Sequence, residues 1–424
     1  MQKTRFRTFM VRILLGILWL AVALSPLHSW IAAWGWLMLG LLALAVTDGA
    51  GQRGTPAMMS AATAWLTGSM ISASLWTTQS IIWQEPCCKV SMDLDVVLRL
   101  MLAAVSIYVI ARACPPAPNG RTGARLLYAI VLACALAFLL AAIRGRHLPV
   151  NPIPWAVAIS FLVCLLLPRA FDAQEAKGRR WLWGAGVFCG LGSVLLSQSR
   201  GAFGVLLWVL FLAIWMHRRH KANIHHSYHR VAAAALLSGL LVTAALNLPG
   251  DPMRLNIALQ EVKSAVQTKN YNTSLGARIA LFRLGWEGFV ESPWIGLGAT
   301  ERARRIHRAG DDLPADQRVA FTHVRVMGHV HNQYMNNAID GGLVGLLGLL
   351  ALQVGLWVAA HRLGTFNRIA GLQLWGVGWM HALAGLSNVN LAHNYYVLML
   401  ALSVGLVFVM AWADPTPETK PLKL

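Results

Sequence analysis

Charged residues are scarce in this chain of 424 residues. They make up 12% of it, which is about half the share usual in a soluble domain. Hydrophobic residues reach 57%, and no soluble fold of this length keeps that much apolar surface out of water. The composition therefore excludes an ordinary soluble protein and predicts an all-α integral membrane protein.

Cysteine is also scarce, with six residues and neither a CxxC pair nor a zinc-ligand spacing. We therefore predict no metal site and no cofactor. Cys87 and Cys88 are adjacent on the predicted outer side, where both a strained vicinal disulfide and two free thiols remain open. The other four are read as small core residues in or beside apolar runs: Cys114, Cys134, Cys164 and Cys189.

Apolar runs of about 20 residues, the length that crosses a bilayer, occur twelve times. They predict nine spans in 1–247, a hydrophilic loop with helices in 248–332, three spans in 333–412 and a tail in 413–424. The third run is rich in Ser and Thr, so a break within it remains open. The runs are 9–25, 30–47, 57–83, 93–113, 124–143, 152–170, 180–197, 201–217, 230–247, 333–360, 370–388 and 392–412.

Basic residues are distributed unevenly between the two predicted sides of the membrane. With the N-terminus inside, 19 of the 36 Lys and Arg fall in cytoplasmic segments, and the short outer connections hold four. Both termini are therefore expected in the cytoplasm and the loop 248–332 in the periplasm. The positive-inside distribution and contacts with anionic lipid headgroups account for most of the formal charge of +19. No nucleic-acid partner is therefore expected. Eleven further spans favour an uncleaved first helix over a signal peptide.

Ionisable groups at the outer face are the candidates for function, because the bilayer excludes such groups elsewhere. Arg200 follows the seventh run and is predicted to open the next helix, where a guanidinium and free N–H groups suit an anion. Snorkelling toward lipid headgroups is the alternative. Arg146 lies in a second basic cluster on the same face, with the same two interpretations. Asp93 and Asp95 fit either a metal-binding DxD motif or a helix start, and the helix start is favoured.

Arg278 lies in the loop, one turn into a helix expected to have Ser274 as N-cap and to end near Glu291. Arg283 is a further turn along the flank. A solvated helix face is the alternative role for Arg278. Apolar residues at helical spacing predict that this helix packs on the membrane surface: Leu275, Ile279, Phe282 and Trp286.

His329 and His331 immediately precede the tenth run. Their spacing places them on opposite faces of a helix, and no third ligand is evident nearby, so a metal site is disfavoured. A structural role is one interpretation. Proton transfer is the other, since the ordinary pKa of histidine suits it near neutral pH.

Taken in order, these motifs resemble the O-antigen ligase family, whose signature is shared with O-antigen polymerases and pilin-type oligosaccharyltransferases. The matching positions are 199–202 (Ser-Arg-Gly-Ala), 276–278 (Gly-Ala-Arg), 293–298 (Pro-Trp-Ile-Gly-Leu-Gly) and 331–334 (His-Asn-Gln-Tyr). The resemblance implies a GT-C-like helical glycosyltransferase of the bacterial inner membrane with a periplasmic active site. It also implies a metal-independent reaction.

The implied reaction transfers O-antigen polysaccharide from undecaprenyl diphosphate to a sugar hydroxyl of lipid A-core. Arg200 and Arg278 suit the diphosphate, which guanidinium groups bind bidentately. His331 is the expected general base, with inversion because no protein nucleophile is evident. His331 is preferred to His329 because the Asn that the family pattern requires follows it. The secondary site candidates are His329, Asn332, Arg283 and Arg146.

Three other functions remain open from the sequence. An O-antigen polymerase and a protein O-oligosaccharyltransferase use the same donor, and composition does not separate them from a ligase. A lipid-linked sugar transporter is disfavoured, because transporters carry ionisable groups near the bilayer midplane and often show internal repeats. This chain has no detectable repeat, and its polar groups gather at one face.

Overall fold

The fold was analysed in a computed structural model that describes residues 2–47, 54–83, 94–113, 122–172, 174–219 and 255–413. Every regular element in these ranges is helical. The helices are α1 Gln2–Leu24, α2 Ser29–Val46, α3 Pro56–Ile82, α4 Leu94–Arg112, α5 Thr122–Arg144, α6 Pro152–Phe171, α7 Lys177–Leu196, α8 Gly204–Arg219, α9 Leu255–Gln267, α10 Ser274–Glu291, α11 Gly298–His307, α12 Ala315–Arg318, α13 Thr322–Arg325, α14 Gln333–Gly364, α15 Arg368–Gly385 and α16 Asn394–Ala413.

Several predicted features lie outside the described residues. They are the ninth apolar run, the first residues of the loop, nearly all of the tail, Asp93, Cys87, Cys88 and Cys114. Asp95, at the start of α4, forms an ion pair with Arg99 one turn later.

Six of the described helices are long and apolar enough to cross a membrane. They are α1, α2, α5, α6, α14 and α16. Each coincides with a predicted run, and the remaining described runs coincide with α3, α4, α7, α8 and α15. This agreement supports the predicted transmembrane character, while the total of twelve spans stays a prediction.

Helix α16 forms the centre of the bundle. Its apolar window is buried along its whole length, and it packs against α2, α4, α6 and α15. A helix that is apolar on all sides is stable only when other helices surround it.

Helix α3 is continuous and packs along α14, so the polar third run has no break. Its polar side chains bond to the partner helix: Ser72 donates to the carbonyl of Gly348, and Trp76 Nε1 donates to the Gly345 carbonyl at 3.2 Å. Gly68 lets the two backbones approach closely, as small residues do between membrane helices.

Helix α14 changes direction at Gly342, whose φ of 59° lies in the left-handed region that favours glycine. Segment 293–297 supplies the hydrogen bonds that the break would otherwise leave unmade. The amide of Leu343 donates to the Pro293 carbonyl at 2.7 Å, and the amide of Leu297 donates to the Ile339 carbonyl at 2.7 Å. The Pro-Trp-Ile-Gly-Leu-Gly motif thus supplies hydrogen-bond partners to backbone groups of α14 on both sides of Gly342, which buried backbone groups require.

A buried ion pair lies beside the break. Arg302 of α11 donates to Asp340 of α14 at 2.7 Å, with side-chain exposures of 5% and 1%. Arg302 also donates to the carbonyl of Gly328, and Asn336 Nδ2 donates to the second Asp340 oxygen at 2.9 Å. The pair therefore fixes α11, α14 and the segment before His329 to one another.

The described residues 255–332, called the loop domain below, share a small core with the start of α14; it includes Ala277, Leu281 and Ile306 of the domain and Met335 of α14. Helix α10 buries mainly small residues and leaves larger apolar residues exposed, from 38% for Ile279 to 58% for Val290. An exposed apolar face is what the predicted contact with a membrane surface requires, and that contact stays a prediction.

Replacing Asp340 by Ala should leave the Arg302 guanidinium buried without its carboxylate, a change that typically costs about 3–5 kcal/mol. We expect a clearly lower Tm for the purified protein in detergent. Arg304→Ala is the control, because it removes only an exposed pair with Glu301 and should change the Tm little. Equal Tm values for Asp340→Ala and the wild type would contradict the anchoring role of the pair.

Candidate functional site

Four segments that are distant in sequence meet at one place. They are the turn 197–203, the start of α10, the segment 328–333 before α14, and the segment 386–393 between α15 and α16. Asn332 Nδ2 donates to the Leu386 carbonyl at 3.0 Å, which joins the third segment to the fourth. The two predicted arginines and the predicted histidine each lie on one of the first three segments.

The turn 197–203 holds Arg200 in a short 3-10 helix, Arg200–Ala202, that precedes α8. Arg200 is therefore the first residue of the apolar helical segment Arg200–Met216, as predicted, and this segment begins with one 3-10 turn. Gln198 adopts a left-handed φ of 56°, which redirects the chain after α7. Gly201 packs against Ser387, and a β-carbon at this position would overlap the Ser387 hydroxyl. The glycine of the Ser-Arg-Gly-Ala motif is thus required for contact with segment 386–393.

Arg278 is half-buried in the first turn and a half of α10. Thr273, and not the predicted Ser274, caps this helix: its backbone is extended and its side chain accepts from the Gly276 amide at 3.1 Å. Ser274 already has helical geometry, so it cannot serve as the cap. Glu261 of α9 accepts from the Leu275 amide at 2.9 Å and fixes the helix start from the other side.

Arg278 lies within electrostatic reach of both other predicted residues. Burial, and after it the positive charge of Arg200, lowers the pKa of Arg278. Burial, and after it the charge of Arg278, lowers the pKa of His331 to about 4. The charge of Arg200 thus acts on Arg278, and the charge of Arg278 acts on His331. Two guanidinium groups with one neutral imidazole are a combination that binds an anion and accepts a proton.

His331 has a left-handed backbone with a φ of 53°, which is costly for a residue with a side chain. A hydrogen bond holds it there: Nδ1 lies 3.2 Å from Asn388 Oδ1. Asn388 uses its own amide nitrogen to donate to Asn390 at 3.1 Å. With the Asn388 amide in this orientation, its oxygen accepts an N–H from Nδ1 of His331, and Nε2, which lies 3.1 Å from Met327 Sδ, carries the lone pair of the base.

His329 lies next to His331, with ring centroids 4.4 Å apart, and 6.3 Å from the ring of His393. Its Nδ1 is buried without a hydrogen-bond partner among the described residues. Burial, followed by the charges of His331 and His393, lowers its pKa to about 3. Within the described ranges, no set of three His, Cys, Asp or Glu residues is arranged to hold a metal ion, and the metal-independent reaction stays a prediction.

The secondary candidates occupy three different environments. Asn332 caps α14, since its side chain accepts from the Met335 amide at 2.9 Å, so its visible role is structural. Arg283 lies on another face of α10 from Arg278 and pairs with Glu287 at 2.8 Å, with 75% of its side chain exposed. Arg146 is exposed in the turn after α5. Within the described residues, no hydrogen bond or ion pair joins Arg283 or Arg146 to the segments of Arg200 and His331.

Sequence reasoning missed segment 386–393, which supplies Ser387, Asn388 and His393. These residues lie at the ends of two predicted apolar runs, where polar side chains usually only mark the end of a span. Their position could have identified them as site candidates. They lie in a short polar connection with Asn and His, on the same predicted face of the membrane as Arg200 and His331.

A known protein family matches the part of the chain that contains three of the four segments of this site. Residues 185–350 match the family described as O-antigen ligase. An O-antigen ligase of Escherichia coli is 24% identical over 216 residues, which are 51% of this chain and 48% of that protein. An uncharacterized protein of Haemophilus influenzae is 27% identical over 175 residues, 41% of each chain. The match thus spans less than half the length of either relative.

The family match includes Arg200, Arg278 and His331, and the resemblance to the O-antigen ligase family predicted from the motifs is confirmed.

Gly201→Ala should force the turn 197–203 away from Ser387, because overpacking at a close contact typically costs about 1–3 kcal/mol. We expect a lower Tm for Gly201→Ala and partial recovery in the double variant Gly201→Ala, Ser387→Gly, which removes the overlapping hydroxyl. The single variant Ser387→Gly is the control for the loss of its own bond to the Ala384 carbonyl. Strictly additive effects of the two changes would contradict the proposed contact.

Proposed function

We propose that this chain, which carries an O-antigen ligase family domain at residues 185–350, is itself an O-antigen ligase. It transfers O-antigen polysaccharide from undecaprenyl diphosphate to a sugar hydroxyl of lipid A-core. The observation that carries the proposal is that segment 386–393 contacts both the turn of Arg200, through Ser387, and His331, through Asn388. The charge of Arg278, which contributes to lowering the pKa of His331, supports it. The enzyme is a glycosyltransferase of the bacterial inner membrane.

The two arginines bind the diphosphate of the donor. The like charge of Arg200 lies close enough to Arg278 to lower its pKa, after the larger effect of burial. The carboxylate of Glu261 acts on Arg278 in the opposite direction, but by less than Arg200 does. A bound diphosphate relieves the repulsion and receives charge-assisted hydrogen bonds from both guanidinium groups. Because negative charge builds up on the leaving oxygen as the glycosidic bond breaks, the arginines stabilise the transition state more than the ground state.

His331 accepts the proton of the acceptor hydroxyl at Nε2. The acceptor oxygen forms a bond to the anomeric carbon while the bond from that carbon to the phosphate oxygen breaks, and the leaving diphosphate keeps the electron pair. A single displacement of this kind inverts the anomeric centre. Met327 Sδ lies 3.1 Å from Nε2, so its flexible side chain must move aside for the hydroxyl.

The donor also strengthens the base. In the absence of an anion, burial and the charge of Arg278 hold the pKa of His331 at about 4. A diphosphate beside Arg278 offsets that charge and raises the pKa of His331 toward its ordinary value, because a nearby anion favours the imidazolium. General base catalysis therefore becomes effective once the donor is bound.

The proposed topology follows the predicted runs. Nine spans in 1–247 and three in 333–412 form a GT-C-like bundle, with 248–332 as a periplasmic domain and 413–424 as a cytoplasmic tail. Both termini lie in the cytoplasm under the positive-inside rule. Arg200, Arg278 and His331 then lie at the periplasmic surface, where both lipid-linked substrates are within reach.

The reaction is tested with purified protein, undecaprenyl diphosphate-linked O-antigen and lipid A-core, with and without a chelator. We expect a transfer product that is insensitive to the chelator. His331→Gln should lower kcat about 10²–10⁴-fold, because only the transfer of the proton is lost. Arg278→Ala should weaken donor binding and lower kcat together.

Arg304→Ala, an exposed arginine outside the site, is the control for both variants. Product that joins two lipid-linked glycans instead of reaching the core would favour a polymerase. Full activity of His331→Gln would contradict the role of the base.

Asn388→Asp should move the acid limb of the kcat profile to higher pH. A carboxylate that accepts from Nδ1 stabilises the imidazolium and raises the pKa of His331. The neutral base is lost as the pH falls through that pKa, so a raised pKa moves the loss toward neutral pH. Asn388→Ala should lower kcat without this shift. Identical acid limbs for Asn388→Asp and the wild type would rule out the contact between Asn388 and His331.

A further inference from the structure

A cavity of about 560 Å³ lies in the loop domain on the side of α10 that carries Arg283. Residues from the end of α9, from α10 and from the stretch 309–321 line it. A helix turns about 100° per residue, which places Arg278 on roughly the opposite side of α10. The cavity is therefore distinct from the site of Arg200, Arg278 and His331.

The charges that line the cavity are balanced. Two basic side chains, Lys269 and Arg283, accompany two acidic ones, Glu287 and Asp316. A site for a diphosphate has an excess of cations, and a site for an acyl chain excludes charged groups. The lining suits neither of these ligands and instead suits a ligand that both donates and accepts hydrogen bonds.

Aromatic faces complete the lining. Tyr271 and Phe321 lie against each other at the cavity, with ring centroids 5.0 Å apart. Apolar faces combined with a few polar groups that fix orientation are typical of small-molecule sites, and the volume lies within their usual range of about 300–1,000 Å³. A sugar ring has this mixed character, with hydroxyl groups at its edge and C–H groups on its faces.

We propose that this cavity, lined by Tyr271, Arg283, Glu287, Asp316 and Phe321, is a saccharide-binding subsite. The inference rests on the proposed function, because a ligase must hold two glycans near His331. The bound sugar belongs either to the acceptor core or to the donor polysaccharide. In both cases the subsite binds hydroxyl-bearing sugar units away from the diphosphate.

A hydrogen bond joins the two segments that carry the aromatic rings of the cavity. His323 lies two residues after Phe321, and its amide donates to Asn272, the neighbour of Tyr271, at 3.1 Å. Burial is the main cause that lowers the pKa of His331, and the charge of His323 makes a smaller contribution in the same direction. The segment that carries Phe321 therefore includes a residue whose charge affects the general base.

Saccharide binding by the cavity is tested with two probes. The binding of each probe to the full-length protein in lipid nanodiscs is measured by saturation-transfer NMR. One probe is core oligosaccharide freed of its lipid, and the other is O-polysaccharide released from its diphosphate. The cavity variant is Arg283→Ala with Asp316→Ala, which keeps the net charge and changes two exposed residues. The matched control is Arg304→Ala with Asp312→Ala, two exposed residues that do not line the cavity.

We expect the cavity variant to bind one probe about tenfold more weakly, the effect of losing a hydrogen bond to a charged group, while the control binds like the wild type. Weaker binding of the core oligosaccharide identifies an acceptor subsite, and weaker binding of the released polysaccharide identifies a donor subsite. Unchanged binding of both probes, or no binding of either to the wild type, overturns the inference. Binding without transfer to lipid A-core refutes the proposed function and leaves the subsite standing.

Discussion

The buried pair of Arg302 and Asp340 is the interaction on which the arrangement of the loop domain and the segment before α14 depends. Asp340 lies beside the break in α14, and Arg302 bonds both to it and to the backbone before His329. Removing two charges from water is costly unless each gains several partners. The cost is offset here by Asn336 and Gly328. One pair thus fixes the loop domain and the histidine segment to a long apolar helix.

The break in α14 determines the angle at which the loop domain is attached to this helix. Segment 293–297 bonds to the backbone on both sides of Gly342, so the loop domain is attached at a fixed angle. Arg278 then lies beside the segment that carries His331, although the two residues are 53 positions apart in the sequence. The strained backbone of His331 belongs to the same arrangement, because a left-handed histidine persists only where surrounding contacts determine it.

The sequence predicted the helices well, because an apolar run of bilayer length has few structural alternatives. It also singled out Arg200, Arg278 and His331, because ionisable and polar groups gather on one predicted face of the membrane. It named Arg278 for the diphosphate and kept Arg283 as a secondary candidate, because both lie on one predicted helix and only the packing of α10 turns Arg283 to another face. Asn388 remained hidden for a related reason: its role depends on a contact with His331, 57 positions away.

The central claim is that Arg278 and His331, placed on different segments, act on each other. The most direct measurement is the pKa of His331 by NMR of protein with isotope-labelled histidine, its signal assigned by its loss in His331→Gln. We predict a pKa well below the ordinary value in the wild type, near 4, and a clear rise when Arg278 is replaced by Ala. An ordinary pKa near 6.5 that does not respond to Arg278→Ala would contradict the account.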